Sequence, residues 1–130
     1  MGQQQILLII LGVILVGVSV AIGISFFKAQ ATAQNRDAVW ADLNQIGARA
    51  QAFYRRPSAL GGGGKDFSSF TLLFSEINND NGQYQIFSKD QTQLVLEGTG
   101  TESGNDGTNP VYVKMLVLAD TMYVEESTIN

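Results

Sequence analysis

Residues 6–27 read ILLIILGVILVGVSVAIGISFF, a run of 22 residues without a single charge. As a helix it is roughly 33 Å long, enough to cross the hydrocarbon of a bilayer. Ser19 and Ser25 are its only polar side chains, and each can return its hydroxyl to a backbone carbonyl one turn back. A secretory signal peptide fits poorly: no Lys or Arg precedes the run, the run is too long, and no small-x-small site closes it before Lys28. Met1-Gly2 opens like a myristoylation motif, but Ile6 stands where that motif needs Ser or Thr. The stretch reads as a membrane-spanning helix. Gly12, Gly17 and Gly23 interrupt it, with Ser19 and Ala21 between. Small residues let helices approach closely where lipid surrounds them. The steps are not the strict four-residue repeat, and glycine is common in membrane helices at large.

Nothing stops the helix at Phe27. Residues 28–54 hold no proline and one glycine, Gly47. Val39, Leu43, Ile46, Ala50 and Phe53 follow one another at steps of 4, 3, 4 and 3, an apolar stripe at helical period. Trp40 and Tyr54 lie at its edge, and Asp37, Asp42, Arg49 and Arg55 lie off it. The end is marked by Arg55-Arg56-Pro57: basic residues suit the C-terminal dipole, and proline disfavours helical geometry at the residue before it. A single helix from about Gln5 to Arg55 would be roughly 75 Å long. Its first half is apolar all round and its second half amphipathic.

PSALGGGG at 57–64 reads as a hinge-like connector turning the chain back over the helix, because consecutive glycines leave the backbone freer than any other residue type. A phosphate-binding loop fits poorly, since Asp66 rather than Ser or Thr follows Lys65 and no strand leads in. A transitional stretch with Phe67, Phe70, Leu72, Leu73 and Phe74 comes next, then NNDNG at 78–82. Ile77 occupies the first slot of any calcium loop there, so it reads as a turn. Strand-like runs follow at 83–87, 92–97, 111–118 and 122–125, with a Gly-rich loop, GTGTESGNDGTN, at 98–109. Consecutive strands with two short connections suit an antiparallel meander. So thin a sheet needs a surface to cover its apolar face, and the amphipathic half of the helix is the candidate. The expected class is α+β: a long N-terminal helix packed on a small four-stranded antiparallel sheet. The chain divides into the helix (1–57), a connector (58–82) and a β head (83–130).

Composition narrows the chemistry. The 130 residues include no Cys and no His, and the net charge is −4. Cys/His zinc sites, thiolate chemistry, disulfides and Ser-His-Asp triads are therefore excluded. Acidity argues against nucleic acid as a partner. The acidic residues are scattered on turns and faces, with no pair held as a hydrolase would need, so no catalytic residue, cofactor or metal is expected. No Asn-x-Ser/Thr sequon is present. Exposed Ser and Thr of the 98–109 loop admit O-linked sugar or a plain surface loop. Orientation poses a conflict: Lys28 and Arg36 follow the apolar run while only neutral Gln3, Gln4 and Gln5 precede it, which by the positive-inside rule puts the head in the cytoplasm. Removal of a short basic leader before Met1 would resolve it, and the expected mature chain begins at Met1.

An apolar helix at the N-terminus that runs without a break into an amphipathic helix packed on a small antiparallel sheet resembles type IV pilins and their pseudopilin relatives. The resemblance covers the whole chain in architecture and residues 1–27 in detail. It implies that helices leave the membrane and bundle into a filament core while the heads tile the outside. Gln5, Ile6, Leu7, Ile10, Gly12, Gly17, Gly23, Phe26 and Phe27 would line that core, and Val39, Leu43, Ile46, Ala50 and Phe53 would hold the head to its helix. The chain departs from the bacterial pattern in three ways. Gln5 stands nearest the place of the family's glutamate, Gly23 lies where a proline is frequent, and the disulfide loop is missing. The implied function is a structural subunit of a helical extracellular filament. Its partners would be copies of itself, the cytoplasmic membrane before assembly, and the assembly machinery. The alternative is a single-pass membrane-anchored accessory protein, such as a minor pseudopilin.

Overall fold

The apolar run and the amphipathic stripe belong to one helix. In the computed structural model, which describes residues 2–104 and 107–128, α1 extends unbroken over Gly2–Arg55. Met1, the expected mature N-terminus, lies outside the described residues, as do two positions of the 98–109 loop. Two compact units result, Met1–Ala31 and Thr32–Asn130, and the division falls inside α1. Within the first unit, Ser19 Oγ donates to the Leu15 carbonyl at 2.7 Å and Ser25 Oγ to the Ala21 carbonyl at 3.2 Å. Each hydroxyl is thereby satisfied by its own helix and asks nothing of its surroundings.

The second unit is the head. A 3-10 turn (Ser58–Leu60) and a short helix α2 (Phe74–Ile77) precede five strands: β1 (Asn78–Asn79), β2 (Gly82–Lys89), β3 (Gln93–Ser103), β4 (Pro110–Leu118) and β5 (Met122–Thr128). The sheet is an antiparallel meander in the order β1-β2-β3-β4-β5. It has five strands where four were expected, because the NNDNG turn is itself a small hairpin. Asn78 and Asn79 pair with Gln83 and Gly82 around Asp80-Asn81, and Asn79 Oδ1 accepts the N–H groups of Asn81 and Gly82. β3 is longer than its expected run. It continues through Gly98 and Gly100 to Ser103, taking in half of the expected 98–109 loop.

Those glycines sit in a strand because the helix comes close there. A Cβ on Gly98 would lie 2.8 Å from a Val39 methyl, and one on Gly100 would lie 2.0 Å from Asn35 Oδ1. Glycine in a strand interior often marks such an approach. Around this crossing Val39, Leu43, Ile46 and Ala50 of α1 are buried with Tyr84, Leu94, Leu96, Val113, Met115 and Val117 of the sheet. Phe67 and Phe70, from the transitional stretch, close the core. Phe53 packs at its margin, half-buried, with its ring edge-on to Phe70 at 5.6 Å. Tyr54 stacks on Phe67 at 4.6 Å. Full burial of one such side chain contributes about 1.5–3 kcal/mol, so the helix and the Phe67–Phe70 segment stabilise the sheet by covering its apolar face.

The tetraglycine turns the chain back over the helix, and it does so as a compact wrap rather than an open hinge. Gly63 N–H donates to the Phe53 carbonyl at 2.8 Å, Lys65 N–H to Tyr54 at 2.7 Å and Gly64 N–H to Arg56 at 3.0 Å. These bonds satisfy carbonyls that the end of α1 leaves without helical partners. A wrap this tight excludes side chains: a Cβ on Gly62 would meet the Arg56 carbonyl oxygen at 2.2 Å. Conformational freedom is used here to reach one compact cap.

Candidate functional site

The apolar half of α1 offers the largest surface with no explanation inside the chain. Ile6, Leu7 and Ile10 are 56%, 65% and 50% exposed, and Phe26 and Phe27 lie open as well. At Gly12, Gly17 and Gly23 an added Cβ would meet nothing within 4 Å. Gln5 is exposed on the same unit. These residues recur on every side of the helix, not on one stripe. By length and composition this is a helix able to cross a membrane.

Within the head, α1 sorts its side chains by angle. Successive residues turn about 100°, so Asp42 and Arg49 fall on one flank of the buried stripe while Trp40 and Gln51 fall on the other. On the first flank Arg49 donates to both carboxylate oxygens of Glu76, from Nε at 2.7 Å and from Nη2 at 2.5 Å. Nη2 also donates to the Thr71 carbonyl at 2.9 Å, and the guanidinium lies 4.6 Å above the centre of the Phe70 ring. Glu76 Oε2 in turn accepts the Leu73 N–H at 2.8 Å. One arginine thereby ties α2, the preceding loop and the core to the helix. A bidentate pair of this kind holds geometry better than a single contact.

Asp42 anchors the hairpin beside it. Its Oδ2 accepts from Tyr84 Oη at 2.5 Å, Asn81 Nδ2 at 2.9 Å and Asn79 Nδ2 at 3.0 Å. Partial burial pushes the carboxyl up, but the donors Tyr84, Asn81 and Asn79 together outweigh it and hold the acid below its ordinary range. A carboxylate kept ionised by three donors is a fastener rather than a general acid. Burial and then the same bond push the Tyr84 phenol above its ordinary range. On the outer face of the sheet Tyr112 Oη donates to Glu97 at 2.7 Å. Burial and this carboxylate push the Tyr112 phenol up to about 12. Among the described residues no three Asp or Glu carboxylates gather in a way that would hold a metal ion.

The second flank is seamed to the β4–β5 turn. Gln51 Nε2 donates to the Leu118 carbonyl at 3.0 Å and Arg55 Nη2 to Ala119 at 3.1 Å. Further along, Arg36, Asp37 and Trp40 of α1 face Val113, Val124 and Ser127 across a groove of about 260 Å³. Sequence periodicity placed Trp40 only at the edge of the stripe and gave no sign of this groove. The structural importance of Phe67 and Phe70 was equally hidden, because two aromatics three residues apart in a loop carry no periodic signal.

The structure thus brings together the stripe residues of the head and leaves the residues of the first unit open. No family model matches the chain, nor does any curated protein or solved structure.

Proposed function

We propose that the chain is a structural subunit of a helical extracellular filament, assembled through the apolar half of α1 in the manner of the pilins and pseudopilins it resembles. The observation that carries this reading is the all-round apolar surface of residues 6–27, with glycine steps that meet nothing in their own chain. Before assembly the same surface holds the subunit in the cytoplasmic membrane. On polymerisation it exchanges lipid for identical helices, where small residues allow backbones to approach. The partners in this reading are copies of the chain and an assembly machinery in the membrane; it includes neither an enzymatic step nor a cofactor nor nucleic acid.

Shearing cells that make the protein tests the reading. A filament subunit appears in the sheared, pelletable extracellular fraction, and helical reconstruction of that material shows α1 at its axis. Protein that stays wholly with the membranes would instead identify a single-pass anchor for the head.

A further inference from the structure

Asn81-Gly82 is the one Asn-Gly step in the chain, and we infer that it is a site of self-modification controlled by α1: seated on the helix the Asn81 amide is kept, and away from the helix it is lost as ammonia. The inference goes beyond the filament reading and does not rest on it. Asparagine is among the chemically labile residues, and a glycine after it leaves the next main-chain nitrogen unshielded, because glycine has no Cβ. The fold itself calls for this pair. A Cβ on Gly82 would lie 2.1 Å from the Thr99 carbonyl oxygen, so position 82 must be glycine. Asn81 Nδ2 donates to Asp42 Oδ2 at 2.9 Å, so position 81 must supply a donor.

The reaction needs only water. On losing its proton, the Gly82 nitrogen attacks the Asn81 side-chain carbonyl carbon. A C–N bond forms, the Cγ–Nδ2 bond breaks, and the amide leaves as ammonia after taking up a proton from water. A second water opens the resulting succinimide at either carbonyl, leaving aspartate or isoaspartate at position 81.

In the folded head three contacts oppose each step. Gly82 N–H donates to Asn79 Oδ1 at 3.1 Å, which keeps the proton of the attacking nitrogen engaged. The Asn81 amide is pinned on Asp42, and that bond must break before its carbonyl carbon can swing to Gly82. The Asn81 main-chain carbonyl accepts Asn35 Nδ2 at 2.9 Å, fixing the backbone beside the reacting pair. Asp42, held ionised by its donors, has no proton to give the leaving amide and repels the charge of the attacking nitrogen. Asn35 and Asp42 stand about two turns apart on α1, so the control belongs to the helix. The product reseats poorly. A carboxylate at position 81 faces Asp42 where an amide donated, and like charges so close disfavour each other. Isoaspartate also adds a main-chain carbon before Gly82, which pairs with Asn79 on one side and Gly100 on the other. A head that leaves α1 for long is thereby marked.

The full-length chain in detergent micelles, at mildly alkaline pH, provides the test. Peptide mass spectrometry follows the change from amide to acid at Asn81, with isoaspartate scored separately. The folded chain should react about tenfold or more slowly than the chain whose head is unfolded by urea, because two hydrogen bonds must break first. Asn35→Ala and Asn79→Ala, each confirmed as folded by its melting transition, should react at rates between the two. Asn81→Asp should melt below Asn81→Ala, since the first adds a charge where the second only removes a donor. Equal rates with the head folded and unfolded, or another asparagine reacting first in urea, overturn the inference. So do folded variants that react no faster than the parent, or Asn81→Asp melting at or above Asn81→Ala.

Discussion

A methyl group on Gly63 would lie 2.1 Å from the Asp66 carbonyl oxygen and 2.8 Å from the Phe53 ring. Backbone cannot retreat as a flexible side chain can, so Gly63→Ala should cost about 1–3 kcal/mol, as overpacking does elsewhere. Chemical denaturation of a head beginning at Thr32 would measure it, and an unchanged midpoint would refute the tight cap. Asp42 and Tyr84 share one hydrogen bond and bias stability at both ends of the pH range. The Asp42 carboxyl is lowered in the folded state, so its contribution is present above the ordinary value of 3.8 and is lost as pH falls through the folded value below it. Tyr84 is raised, so its contribution is present below pH 10 and fades as pH climbs beyond. Tyr84→Phe should therefore flatten the alkaline limb of a melting-temperature profile. Asp42→Asn should flatten the acid limb and lower neutral-pH stability by about 2 kcal/mol, the worth of hydrogen bonds to a charged group. A profile that the two substitutions leave unaltered would remove this bond from the account.

At the level of elements, the head depends on one helix face, so Leu43→Asp or Ile46→Asp should unfold it. Both positions are buried, and an unpaired carboxylate there costs several kcal/mol or more. Loss of the cooperative melting transition is the expected reading, and a transition kept within a few degrees would contradict the packing. That stripe was legible in the sequence because period 3.6 survives wherever a helix buries one side. The strands from Gln83 and Val111 were legible from alternation and β-branched residues. β3 was legible only to Glu97, since Gly98 and Gly100 read as loop in isolation. Their reason lies in Val39 and Asn35 of a helix some 60 residues earlier, and no local pattern carries that information. PSALGGGG was legible as the connector that turns the chain back over the helix, but its tight form was not: glycine signals freedom, yet the carbonyls of Phe53 and Tyr54 decide how that freedom is used. The groove beside Trp40 was invisible because it exists only once α1 and β5 lie together.

For the molecule as a whole, α1 joins an exposed apolar half and a half that packs on the sheet in one run of helix, and Gly12, Gly17 and Gly23 fall in the half that meets nothing of its own chain. Leucine at all three positions would raise helix propensity and keep the span apolar. The variant Gly12→Leu/Gly17→Leu/Gly23→Leu should consequently enter the membrane in normal amount. It should not polymerise, because bulky side chains hold neighbouring backbones apart and remove the helix's easiest points of bending. An anchor that merely floats in lipid gains or loses nothing by the exchange, since each glycine faces open space and the head's core begins beyond Ala31. The quantity to measure is the ratio of sheared, pelletable protein to membrane-retained protein. A fall of at least tenfold with membrane levels unchanged is what close packing of helices requires. A ratio equal to that of the unsubstituted chain would mean that the three glycines have no part in assembly, and the case for a filament core would then rest on the apolar surface alone.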